Sequence, residues 1–270
     1  EFPFDNTRAL EFALFRTYAV PSIGGLLDAT KEFERRTQKR YDDTDLLISE
    51  FAEHGYDSER GRAAIRRMNH IHGRYGISND DMLYVLSTFI FEPRRWNQRF
   101  GWRRFTANEE AAGFRFWCEV GRRMGIRGIP EAAAEYERFN QDYERANFRF
   151  NPASRRVADS TRDLFVSWML PRPLWPLAYP LVYALMDRPL LEAFGYPAQP
   201  AWLCRLAAGG LRLRGRLAGL LPDRRSPRLR TGRNVASYPD GYKVAELGSS
   251  EPADLAAEWR RQPASERRDA

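Results

Sequence analysis

Cysteine is almost missing from this 270-residue chain. Cys118 and Cys204 are too few and too far apart in sequence for a disulfide scaffold or a thiolate metal site. That scarcity favours a reducing compartment. Histidine is nearly as rare, with three residues, and no H-x-x-x-H or C-x-x-C spacing occurs, so a site built from several His or Cys ligands is hard to assemble. Long uncharged runs are missing too. The longest in the apolar region, 173–186, has 14 residues and three prolines, short of the ~20 a helix needs to span a bilayer. The chain opens Glu-Phe-Pro-Phe without Met, which leaves room for an upstream signal or anchor. The expected location is cytoplasmic, with peripheral contact to a membrane allowed. Repeats are absent, and alternating β-branched patterns are almost absent apart from a candidate strand near 242–247.

What remains is the composition of a folded protein, 43% hydrophobic and 29% charged, with enough chain to bury a substantial core. The net charge of +7 raises the question of nucleic acid, and its distribution argues against it. Residues 205–234 hold nine Arg against the single Asp223, a local +8, so the other 240 residues sum to −1. The basicity is local.

Helix signals dominate. Residues 7–20 read as a helix ending at Pro21. Thr44 is placed to open a helix to about His54, and Ser58 another through Tyr75. Ser78 with Asp81, and Thr106 with Glu109, have capping-box spacing. The first of these helices should stop at Pro93 and the second at Gly125. Pro130 and Pro152 suit first-turn positions of two more. The expected fold is all-α, one main helical domain over 1–221, followed by an Arg-rich, partly irregular extension over 222–270. From Ser249 onward a loose tail with one short helix is expected.

His70 and His72 stand one residue apart. On a helix they point about 200° from each other, so they cannot serve one site together. His72 shares a stripe with Ile65, Met68 and Tyr75 that should face the core. His70 lies among Arg66, Arg67, Gly73 and Arg74, a polar side. Each has a plain alternative: a hydrogen-bonded core histidine for His72, a solvated surface residue for His70. A lone neutral imidazole on an apolar helical face is also what haem iron accepts, with nearby arginines able to pair with propionates.

Residues 67–103, RMNHIHGRYGISNDDMLYVLSTFIFEPRRWNQRFGWR, carry a resemblance to a known family. So do RYDDT (40–44), EEAAGFRFW (109–117), GRRMGI (121–126), DYER (142–145) and SYPDGYKVAELG (237–248). Together they resemble the superfamily of bacterial rubber oxygenases (latex-clearing proteins) and fungal MpaB-type oxygenases, closer to the MpaB-like branch. The resemblance implies a globin-like helical core and haem b held by a histidine. The MpaB-like pattern R-M-N-x-x-H-x-R places that iron ligand at His72. The latex-clearing pattern R-x-x-H-x-x-x-R fits Arg67, His70 and Arg74 instead. The longer motif and the helical face both favour His72. The family's distal Arg and Thr, four apart, match Arg40 and Thr44. Rubber oxygenases have a lysine just before that Thr where this chain has Asp43, and no match for the family's distal general base is evident. For Thr44 the plain alternative is a helix cap, and for Arg40 a salt bridge to Asp42 or Asp43. Asp81, Arg95, Trp96, Trp102, Arg103, Tyr143 and Glu144 read as structural.

The resemblance implies a haem-dependent oxygenase that uses O₂ to cleave a carbon–carbon double bond of an apolar, isoprenoid-like molecule. Two other classes stand beside it: a haem or ligand carrier without catalysis, and a helical module that binds a membrane surface. The second rests on 200–234, where Leu203, Leu206, Gly210, Leu213, Leu217 and Leu220 share one helical face and Arg205, Arg212 and Arg216 another. That pattern suits a helix lying in an anionic membrane interface, or one packing its leucines on the domain.

Overall fold

The computed structural model describes residues 3–222, 226, 229–248 and 259. Twelve α-helices are found among them: α1 (Pro3–Thr17), α2 (Pro21–Ala29), α3 (Glu32–Arg35), α4 (Thr37–His54), α5 (Glu59–His72), α6 (Asn79–Phe100), α7 (Ala107–Arg123), α8 (Ala133–Asn147), α9 (Pro152–Ser167), α10 (Trp175–Tyr183), α11 (Arg188–Phe194) and α12 (Ala201–Gly219). No strand occurs among the described residues; Val235 and Tyr238 form one isolated bridge. The fold is all-α. None of these helices is long and apolar enough to cross a membrane.

The 22-residue α6 is the spine, with α1 laid along it and α7, α8 and α12 around it. A second body forms around α9, which α2, α3, α4, α10 and α11 contact. The fully buried Phe51, Tyr84, Phe91, Phe100, Tyr136 and Phe194 mark the cores between these layers. One charged cluster sits inside. Arg16 of α1 donates to Glu144 of α8 and also pairs with Asp187, with Glu92 3.7 Å away. Burial works against the Arg16 charge, but the three carboxylates outweigh it and hold its pKa above the ordinary arginine value. Glu144 is thereby structural, and so is Tyr143, whose hydroxyl donates to Asp81 at 2.8 Å.

Several helix signals act as expected. Ser58, Ser78 and Thr106 accept hydrogen bonds from Gly61, Asp81 and Glu109 N–H, Thr106 within a complete capping box. Pro152 is the first residue of α9, and Gly125 sits at positive φ just past α7.

Others do not. Pro93 does not stop α6. It lacks the N–H that would bond to Phe89, yet the helix runs on because Trp96, Asn97 and Phe100 are buried on the far side of it. Thr44 opens nothing: α4 starts seven residues earlier, after Arg36, whose φ of −144° breaks it from α3. Pro130 lies ahead of α8, which starts at Ala133 without a side-chain cap. Pro21 does not simply end the first helix, which stops at Thr17, but opens α2. The candidate strand at 242–247 has no partner strand and forms a 3₁₀ turn, Val244–Glu246, with Leu247 buried against the α4–α5 core. The tail expected from Ser249 lies outside the described residues except Trp259, which packs on Leu26 and Tyr75.

Residues 229–248 form a strap across α4. Arg230 pairs with Asp45, Thr231 N–H donates to Glu53, Ser237 N–H to Asp42, Tyr238 hydroxyl to Asp43 and Tyr242 hydroxyl to Glu50.

Candidate functional site

α5 presents its residues as the spacing of its apolar positions dictates. Ile65 is buried, Met68 and Ile71 pack on the α4–α5 core, and Tyr75 is buried just beyond the helix. Arg66, His70 and Gly73 are exposed on the opposite side. His72 ends the helix on the inner face. Its Nδ1 is buried and has no hydrogen-bond partner. Burial, helped by the charge of Arg40, pushes its pKa down to about 4, so the ring is neutral at pH 7.

His72 lines a cavity of about 1570 Å³ between α1, α2, α4, α5, α6, α7 and α9, with Val235 and Ala236 of the strap in its wall. This exceeds the roughly 300–1,000 Å³ of drug-sized ligand pockets, leaving room for a large cofactor and a substrate together. One side is apolar: Leu47, Phe51, Met68, Val85, Phe89 and Trp117. Phe89 and Trp117 stack there with centroids 4.9 Å apart.

The other side is polar. Arg40 stacks on Phe33, 5.5 Å from its centroid, and donates to the Thr44 hydroxyl one turn on. That hydroxyl donates in turn to the Arg40 carbonyl at 3.1 Å. Arg40 makes no salt bridge with Asp42 or Asp43. Lys39 pairs with Asp43 at 2.8 Å, and Asp42 accepts from Gln38 and the strap. Beside them Glu11 of α1 accepts from Tyr41 hydroxyl and Arg8, each at 2.6 Å. Burial outweighs both donors and raises the Glu11 pKa from 4.5 to about 7.

Thus His72, Arg40 and Thr44 face one cavity. His70, Arg67 and Arg74 do not line it; Arg67 Nε donates to the Leu247 carbonyl at 2.7 Å, tying α5 to the strap. Glu11 and Tyr41 escaped the sequence reading. A lone carboxylate inside the apolar run LEFALF was the available signal for Glu11. Among the described residues no three His, Cys, Asp or Glu side chains come together as a metal site. A metal held through one protein ligand, as haem iron is, fits what is present: a neutral imidazole with an orphaned nitrogen, on the wall of a large cavity.

Comparison with known proteins supplies an independent line. Residues 13–215 match the family described as "ER-bound oxygenase mpaB/B'/Rubber oxygenase, catalytic domain". The chain is similar to the ER-bound oxygenase mpaB' of Penicillium brevicompactum, 32% identical over 221 residues, which is 75% of this chain and 52% of that protein. It is 31% identical over 223 residues to ER-bound oxygenase mpaB of the same organism, covering 75% of this chain and 56% of the relative. With ER-bound oxygenase mpaB of Penicillium roqueforti it shares 30% over 214 residues, 73% and 72% of the two chains. The chain spans about half the length of the two P. brevicompactum relatives.

Proposed function

The chain belongs to the mpaB/B' and rubber oxygenase catalytic-domain family, and from that premise we propose that it is a haem b-dependent oxygenase. On this reading it uses O₂ to cleave a carbon–carbon double bond in an apolar, isoprenoid-like substrate. The relatives are named ER-bound, and a working place at a membrane surface suits a substrate that dissolves in lipid.

The observation that carries the proposal is His72: buried at Nδ1, without a partner there, and held neutral on the wall of the cavity. A depressed pKa keeps the imidazole in the form that binds iron rather than a proton. Haem, when bound, would supply the activation of oxygen. The chain supplies the rest. His72 holds the cofactor in place. The Phe89–Trp117 stack and Phe51 keep one wall dry and receive the apolar substrate. Arg40, its guanidinium fixed by Phe33 and Thr44, aims a positive charge and donor N–H groups into the cavity where negative charge develops on oxygen. Glu11, titrating at about 7 beside the Tyr41 hydroxyl, can hold or release a proton at neutral pH. Roles for Arg67 and Arg74 at haem propionates, and for His70 as ligand, rest on the resemblance alone.

The test is an optical spectrum of purified protein, with oxygen uptake on an unsaturated lipid panel. His72→Ala abolishes the Soret band, while His70→Ala keeps most of it. Thr44→Val and Arg40→Ala keep the band and lower turnover. The reverse pattern for the two histidines moves the ligand to His70. No band in the wild type after reconstitution with haem ends the haem assignment.

A further inference from the structure

Helix α12 is docked the wrong way round for a soluble protein. Its small residues face the body. Gly215 is buried so tightly that an added Cβ would lie 2.5 Å from the Phe100 carbonyl oxygen, and Ala208 and Leu211 pack on the Ala9–Trp96–Phe100 cluster. The large apolar residues face out. Trp202, Leu206, Leu213, Leu217 and Leu220 are each between 55% and 81% exposed. At 3.6 residues per turn all five fall within about 60° of one another around the helix axis, one continuous stripe along the outer face. The neighbouring α10, which packs on α12, carries exposed Leu177 and Leu181 as well.

Beside the stripe, on one edge and within about 40° of each other, stand Arg205, Arg212 and Arg216. All three are exposed, and none forms an ion pair with a described residue; Arg212 donates only to the Arg99 carbonyl at 3.1 Å. Residues 201–219 contain four arginines and no acidic residue. An apolar stripe with a bare cationic margin is complementary to a surface that is apolar below and anionic above. A protein partner would ordinarily meet such arginines with carboxylates from one direction only; a bilayer offers acyl chains to the stripe and phosphates to its margin at once.

The position of α12 gives this face a consequence. Arg214, on the same helix, lines the cavity rim, where it pairs with Asp5 and stacks on Phe4, 3.8 Å from the ring centroid. Phe4 and Trp168 also line the cavity and are both 40% exposed. They mark its opening to the outside beside α12.

We infer that the outer face of α12 is a docking surface for an anionic membrane, seating the helix flat in the headgroup layer and bringing the Phe4–Trp168–Arg214 rim of the cavity to the lipid. The inference goes beyond the oxygenase reading, although it would deliver a lipid-soluble substrate to the site that reading describes.

Vesicle co-sedimentation of the whole chain tests it, using phosphatidylcholine alone and phosphatidylcholine with phosphatidylserine. The expected result is binding that requires phosphatidylserine and falls as salt rises. The triple change Arg205→Gln, Arg212→Gln and Arg216→Gln should weaken it on the order of 100-fold. Leu213→Ser with Leu217→Ser should weaken it too, with an unchanged thermal melt, since both side chains are already exposed. Haem content and oxygen uptake on detergent-dispersed substrate should be unaltered in both variants, which separates failure of this face from failure of the oxygenase reading. Equal binding to both kinds of vesicle, or binding to neither, overturns the inference. A wild-type dimer that becomes monomeric in the leucine variant and ignores vesicles shows instead that a second copy covers this face, and overturns it equally.

Discussion

Replacing Glu11 with Gln offers a direct reading of how the cavity treats charge. The carboxyl is buried at 7% exposure, with Tyr41 hydroxyl and Arg8 on the same oxygen. Its pKa is 4.5 in an unstructured chain and about 7 in the fold. Because the folded value is raised, the native state holds a proton that the unfolded chain releases between those two values. The stability Glu11 contributes is therefore complete below pH 4.5 and is lost as pH rises through about 7. Integrated across that window the loss amounts to about 3 kcal/mol, an upper figure for a group on a cavity wall. Gln cannot titrate. Urea unfolding of both proteins at pH 4.5, 6, 7 and 8 isolates the effect, because the difference between them cancels every other titrating group. Glu11→Gln should gain on the wild type by up to about 3 kcal/mol from the most acidic to the most basic condition. A difference that is flat with pH would refute the raised pKa. A difference that falls with pH would mean that Arg8 and Tyr41 outweigh burial, reversing the balance argued above.

Two further outcomes follow from packing. Gly215→Ala gains up to about 1 kcal/mol in helix propensity, but its Cβ meets backbone at Phe100 and Gly101, where nothing flexible can give. The net result should be a destabilisation of about 1–3 kcal/mol in thermal or urea unfolding. Arg16→Met should cost about 3–5 kcal/mol, because Glu144 stays buried without its cation while Glu92 keeps Arg95 at 2.7 Å; a loss under 1 kcal/mol would show the Glu144 carboxylate to be solvated.

The sequence made legible what acts within a turn or two of chain. Ser58, Ser78 and Thr106 cap where their spacing says, and the inward stripe of α5 put His72, not His70, on the cavity wall. What it hid depends on partners far along the chain. Pro93 is carried through by burial of Trp96 and Phe100 against α1 and α12. In sequence the near partner for Asp42 or Asp43 is Arg40, yet Asp42, Asp43, Glu50 and Glu53 are taken up by hydrogen bonds from residues 231–242. The leucine pattern in α12 was readable, but not whether it faced inward. That was decided by Gly215, which lets the opposite side approach Phe100.

The strap also fixes an order of assembly. Lys39 reaches the Gly248 carbonyl across 209 residues of chain, and Arg230 reaches Glu53 across 177. Such distant pairs form after local helices have docked, since their loop must close first. On a ribosome, α1 to α9 emerge long before 229–248 do, so the cavity exists for a time with its Val235–Ala236 wall missing. Once Arg230, Ser237, Tyr238 and Tyr242 have found their carboxylates, α4 is tied down and that wall is complete. Residues 229–248 thus act as the closing stitch on the compartment.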